Sequence, residues 1–156
     1  MSVAPTFRTY LEDKNITCDE VHHRPTATSA QTAEASHVSG DCVAKGVVLS
    51  CEGGVKLAVV PASCNVQLDA IRDFVEGPVS LASEDEIVSI FHDCNPGAIP
   101  PSGTAYGIDT IVDDSLNDQE DVYLEAGDHE TLLHLTRAQF QQIQENWQHG
   151  KIAVHM

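Results

Sequence analysis

Residues 42–62 read CVAKGVVLSCEGGVKLAVVPA. Two runs of valine, leucine and alanine flank Glu52-Gly53-Gly54. β-Branched and aliphatic residues this dense around a glycine turn predict a β-hairpin. One residue breaks the first run. Alternation places Val43, Lys45, Val47 and Leu49 on one strand face, and lysine is rarely buried without a partner. The Lys45 stem can lie along an edge with its ammonium in water. Alternatively, the cation can meet a phosphate or a developing oxyanion in an apolar pocket. Spacing alone leaves both readings open.

Outward from the hairpin, Phe7, Tyr10 and Leu11 give residues 4–15 the spacing of a short helix. A strand is predicted around residues 18–23, ending before Pro25. A second helix is predicted over 30–37, capped by Thr28 or Ser29 and stopping near Gly40. Leu68, Ile71 and Val75 predict a helix over 66–75, closed by Gly77-Pro78. A short strand follows over 79–82. Ser83 with Glu86 forms a capping box for a helix over 84–91. DVYLEAG (121–127) and ETLLHLT (130–136) read as two more strands. Arg137 to Trp147 reads as a last amphipathic helix on Phe140, Ile143 and Trp147. Strands and helices mix without a strict βαβ rhythm, which predicts a mixed α/β (α+β) domain with a largely antiparallel sheet and helices around it.

The chain has 156 residues, within the roughly 100–200 of one domain, and no linker or internal repeat divides it. No apolar run approaches the roughly 18 residues that span a membrane, and the N-terminus lacks the basic-then-apolar layout of a signal peptide. Five scattered cysteines without a CxxC pair speak for reduced thiols, and with them a cytoplasmic setting. Eight Lys and Arg against 24 Asp and Glu give a net charge of −16. That excludes a long basic footprint on nucleic acid, DNA included, but not a pocket gripping one terminal nucleotide.

Two further segments can carry chemistry. Residues 93–107, DCNPGAIPPSGTAYG, hold three prolines and three glycines, too punctuated for a regular element. Rigid backbone N–H groups in such a loop suit an oxyanion hole, and an ordinary tight connection would use the same residues. Ala126-Gly127-Asp128-His129 joins two predicted strands and is either a plain turn or a turn presenting a histidine that can bind substrate or water. His92 and Cys94 lack a second pair to complete a metal site. No GxSxG elbow, GxGxxG or Walker loop is present.

Taken in order, HHRPTATSAQT (22–32), VAKGVVL (43–49), GAIPPSG (97–103) and YLEAGDHETLLHL (123–135) resemble the YbaK / prolyl-tRNA-synthetase editing-domain family, roughly from Phe7 to Ile143. The resemblance implies a curved, mostly antiparallel sheet wrapped by helices, with one small pocket and no cofactor. It implies hydrolysis of the ester of a small amino acid mischarged on tRNA, tRNA for proline among the substrates. By position, Lys45 is expected to contact the terminal adenosine and its phosphate. The Gly97 amide is expected to polarise the ester carbonyl, and His129 to hold substrate or water. Ala98, Ile99, Pro101, Ser102, Gly127 and Asp128 are expected around the substrate. Many relatives carry a hydroxyl residue after the lysine, so Gly46 is expected to remove a contact and enlarge the pocket. The alternative is a non-catalytic module recognising an aminoacyl-adenosine-like ligand. A synthetase or elongation-factor partner could supply the basic surface that this chain lacks.

Overall fold

The computed structural model describes residues 3–95 and 97–156; Pro96, part of the proline-rich loop, lies outside them. Helix α1 (Pro5–Asp13) opens on a proline, whose fixed φ suits a first helical turn, and buries Phe7 and Leu11 one turn apart. Strand β1 (Asp19–His22) follows. Helix α2 (Ser29–Ala35) is capped by Thr28, whose hydroxyl accepts the Gln31 N–H at 3.2 Å. The hairpin is β2 (Val43–Cys51) with β3 (Gly54–Pro61), in continuous antiparallel register from Ala44 opposite Pro61 to Cys51 opposite Gly54. Then come β4 (Cys64–Val66), α3 (Leu68–Ile71), β5 (Val79–Leu81) and α4 (Glu84–Ile90), the last opened by the Ser83–Glu86 capping box. Beyond the proline-rich loop lie β6 (Asp109–Asp113), β7 (Asp121–Glu125) and β8 (Thr131–Thr136). Helix α5 (Arg137–Gln142), β9 (Gln148–Gly150) and β10 (Ala153–His155) complete the chain.

Eight strands form one sheet in the order β1-β8-β7-β2-β3-β6-β9, with β5 beside β2 as well. The β1/β8, β7/β8, β2/β3 and β2/β5 pairs are antiparallel; β2/β7, β3/β6 and β6/β9 are parallel. Strands β4 and β10 make a separate antiparallel pair. The alternation expected of the hairpin sorts its side chains onto two covered faces. Ala44, Val48, Leu57 and Val59 join the main core with Phe7, Phe91, Leu124 and Phe140. On the opposite face Leu49, Ala58 and Val60 pack with Ile71 and Ile111. Further along that face Val43 and Ala62 pack with Ala33 and Leu132. Burial on both faces is why the hairpin reads as two nearly continuous apolar runs. Among the described residues no helix is long and apolar enough to cross a membrane.

Three expectations are corrected. The helix expected over 66–75 shrinks to the single turn of α3. Val66 pairs with Ala153 of β10, and the Gln67 N–H donates to the Ile152 carbonyl, so strand pairing claims the first residues. The last helix stops at Gln142, with Ile143 as its C-cap, and the left-handed φ of 60° at Asn146 keeps the chain from running on as helix to Trp147. Trp147 still reaches the core edge-on to Phe140, with its indole N–H donating to Thr104 Oγ1 at 2.6 Å. Strands β6, β9 and β10 were not expected at all. Asp113, buried at the end of β6, accepts the backbone N–H groups of Ile152 and Ala153 at 2.9 and 3.1 Å and pins the last segment down.

Candidate functional site

Strand β2 is paired with β3 along its whole length but has two partners on its other edge. β7 pairs only at Val43 and Ala44, and β5 only from Leu49 onward. Between them the sheet is split. A pocket of about 430 Å³ opens there, within the ~300–1,000 Å³ usual for small-ligand sites. Its walls are Lys45 and Gly46 of β2, residues 27–30 at the start of α2, Gly97 and Ile99 of the proline-rich loop, Glu125 at the end of β7, and Ala62 with Met156. The Val48 carbonyl accepts the Ala82 N–H on this edge, so strand alternation turns the Gly46 backbone toward the same gap.

Lys45 stands opposite Val60 on the hairpin, on the face between the two smaller apolar clusters. Burial lowers its ammonium from the ordinary value, with Cys64 acting in the opposite sense. The ammonium makes no hydrogen bond or ion pair to any described residue. The parallel register that sets Ala44 beside Leu124 would set Lys45 beside Glu125 one step on, where the strands part. Glu125 is only 1% exposed. Its Oε1 accepts the Ser29 hydroxyl at 3.3 Å, whereas Oε2 is buried with no partner among the described residues. Burial pushes its carboxyl up to about 7, against the hydroxyls of Thr32 and Ser29 and with a small addition from Asp128. Sequence reasoning passed over Glu125, because alternation with Val122, Leu124 and Ala126 marks it as solvent-facing. Helix α2 covers that face, with the Ser29 hydroxyl on Glu125, and no local pattern in the sequence announces this.

The loop and the turn meet at the other rim. A Cβ built on Gly97 would lie 2.9 Å from His129 Cε1 and 3.2 Å from Nε2, so the imidazole rests against the Gly97 backbone. His129 holds a left-handed φ of 61°, and its carbonyl accepts the Thr26 N–H at 3.3 Å, which ties the turn to the approach of α2. Burial lowers its imidazole from the ordinary 6.5, opposed by Asp128 and reinforced by His23, so the ring is neutral at pH 7. Its Nδ1 is buried without a partner among the described residues.

The remaining sequence-predicted residues divide. Ile99 reaches the pocket. Ala98 is buried, with its N–H donated to the Asn95 carbonyl at 2.9 Å. Pro101 and Ser102 are buried too, and they do not line the pocket. The Ser102 hydroxyl has no partner among the described residues. Gly127 has a φ of 113°, and a Cβ there would meet Ala4 at 2.9 Å; it seats α1. Asp128 turns both oxygens onto its own turn, accepting the Glu130 N–H at 2.9 Å and the Thr131 hydroxyl at 3.0 Å. Gly46 lines the pocket, and a Cβ there would meet Leu57 Cδ1 at 3.0 Å and Ile99 Cδ1 at 3.3 Å. Among the described residues no three His, Cys, Asp or Glu converge as a metal set.

The molecule is thus a mixed α/β domain whose split sheet opens a pocket lined by Lys45, Gly97 and Glu125, with His129 resting against the Gly97 backbone. Residues 23–143 match the model of the aminoacyl-tRNA editing domain, and the chain belongs to that family. Membership supports tRNA deacylase chemistry in general. Among solved structures the chain resembles the hypothetical protein APE2540, with a TM-score of 0.84 at 21% identity over 96% of this chain and 99% of that one. It resembles equally a candidate trans-editing enzyme for prolyl tRNA synthetase, with a TM-score of 0.84 at 20% identity over 97% and 96%. A candidate signal transduction protein from Marinobacter aquaeolei VT8 carries the same fold within a longer chain, with a TM-score of 0.75 at 18% identity over 96% of this chain and 30% of that one. No curated protein matches by sequence.

Proposed function

We propose that this chain acts in trans as an aminoacyl-tRNA deacylase, hydrolysing the ester of a small amino acid mischarged on tRNA, with tRNA for proline the first substrate to test. The observation that carries the reading is the convergence in one pocket of an unpaired cation and a glycine backbone, with a neutral imidazole against that glycine. Lys45 binds the phosphate of the terminal adenosine. The Gly97 N–H polarises the ester carbonyl and stabilises the oxyanion that forms when water attacks. His129 holds substrate or water at the Gly97 rim, and the vicinal hydroxyl of the terminal ribose assists the attack, so no protein nucleophile is needed. Ile99 shapes the floor. Pro101 and Ser102 stiffen the loop from within, Ala98 anchors it on Asn95, and Gly127 and Asp128 set the turn that presents His129.

The net charge of −16 favours a second reading, a module that recognises the aminoacyl-adenosine end without turnover. It also favours a basic synthetase or elongation-factor partner that delivers the tRNA. A panel of mischarged tRNAs, each incubated with the wild-type protein and with Lys45→Ala, separates the readings. Release of the amino acid from at least one tRNA, lost in the variant, supports the deacylase. Binding without release from any member supports the module.

A further inference from the structure

The charged residues of the pocket do not neutralise each other. Lys45 and Glu125 occupy neighbouring strands on one sheet face, one register step past the last paired residues, and they form no ion pair. An ionised carboxylate accepts several hydrogen bonds, and a buried one is stable only when they are supplied. Here the Ser29 hydroxyl serves Oε1; the Thr32 hydroxyl lies near enough to favour the carboxylate but is paired with Thr26 Oγ1 at 2.6 Å, and Oε2 has no hydrogen-bond partner among the described residues. A buried acceptor left open at a pocket wall, with an unpaired cation across the same cavity, complements a ligand carrying one anionic and one cationic end. An aminoacylated terminal nucleotide has that form, a phosphate at one end and an α-ammonium at the other.

Resting on the deacylase reading, we propose that Glu125 is a specificity residue, whose carboxylate receives the α-ammonium of the aminoacyl group while Lys45 receives the phosphate. The pocket therefore demands a free α-amine and rejects N-blocked esters. Ser29, from α2, orients the carboxylate, and Asp128 adds a like charge that the bound ammonium also offsets. The carboxyl that burial holds up near 7 in the free protein is drawn into its ionised form by the ligand.

The test compares kcat/KM for one aminoacyl-tRNA with a free α-amine and for its N-acetyl derivative. Wild-type protein is expected to prefer the free amine by about 10- to 100-fold, the range of a hydrogen bond to a charged group. In Glu125→Gln the loss falls on the free-amine substrate and the preference collapses toward unity, with N-acetyl turnover kept. Equal losses on both substrates overturn the proposal and mark Glu125 as a proton acceptor for water instead. Wild-type protein that hydrolyses both esters equally overturns it without recourse to a variant. Wild-type protein that hydrolyses neither, nor any other aminoacyl ester, overturns the deacylase reading and this inference with it.

Discussion

Glu125→Gln should make the protein more stable, increasingly so as pH rises. The native fold holds this carboxyl near 7, against 4.5 for the free side chain, chiefly through burial. A raised carboxyl favours the neutral form, so its stabilising contribution is complete below the unfolded value and is lost as pH rises through the folded one. At ~1.4 kcal/mol per pH unit, separation of the two values makes ionisation of Glu125 worth roughly 3 kcal/mol in all, most of it between pH 5 and pH 8. Glutamine has nearly the same shape and does not titrate. Every other ionisable group is shared by the two proteins, so the difference between them isolates this residue. Urea unfolding of both proteins at half-unit steps from pH 5 to 8.5 reads that difference. The advantage of the variant should grow by roughly 2–3 kcal/mol across the range, corresponding to a melting gap that widens by roughly 5–10 °C. A flat difference would refute the burial argument. A difference of opposite sign would show that Lys45 and Glu125 pair in solution, since an ion pair lowers a carboxyl and makes its loss destabilising at high pH.

Lys45→Ala should abolish deacylation while thermal unfolding stays within about 1 kcal/mol of wild type, because its ammonium makes no ion pair to give up. Unchanged turnover would remove the lysine from the site. Gly97→Ala places a Cβ 2.9 Å from His129 Cε1 and 3.3 Å from the Ala27 carbonyl, so the ring must move off the loop. Turnover should fall about 10²–10³-fold, the scale of one lost oxyanion donor, with circular dichroism unchanged. On the proposed reading, in which the pocket takes only the terminal nucleotide, log affinity for tRNA against log salt should slope as for about one or two phosphates, and a steep slope in a filter-binding series would reveal a basic surface.

The hairpin at 43–61 was legible because both its faces are covered, which leaves an unbroken apolar signature, and Thr28 and Ser83 announced their helices through capping chemistry. Phe140, Ile143 and Trp147 were correctly read as core-facing, but the one helix expected to carry all three ends at Gln142. Spacing reports which side chains face the core, not whether the backbone between them stays helical; Asn146, with its left-handed φ, lies between Ile143 and Trp147. Strand β6 was hidden by aspartates at both ends, one of which, Asp113, is buried for the sake of the last segment's N–H groups. Partners for β9 and β10 are parallel or distant in sequence, and no local pattern encodes such pairing. Lys45, Gly97 and His129 stood out as oddities of type in their surroundings. That Gly97 and His129 touch, and that Glu125 shares the pocket with Lys45, follows only from the split between β5 and β7.

Deacylation itself is the decisive measurement. Purified protein should be incubated with alanyl- and other small-residue-charged tRNA for proline, and with correctly charged prolyl-tRNA, while the acylated fraction is followed in time. At least one mischarged species should be lost in a protein-dependent way, not with Lys45→Ala, with the correctly charged tRNA spared. Decay of every species at the rate seen without protein would refute the deacylase proposal.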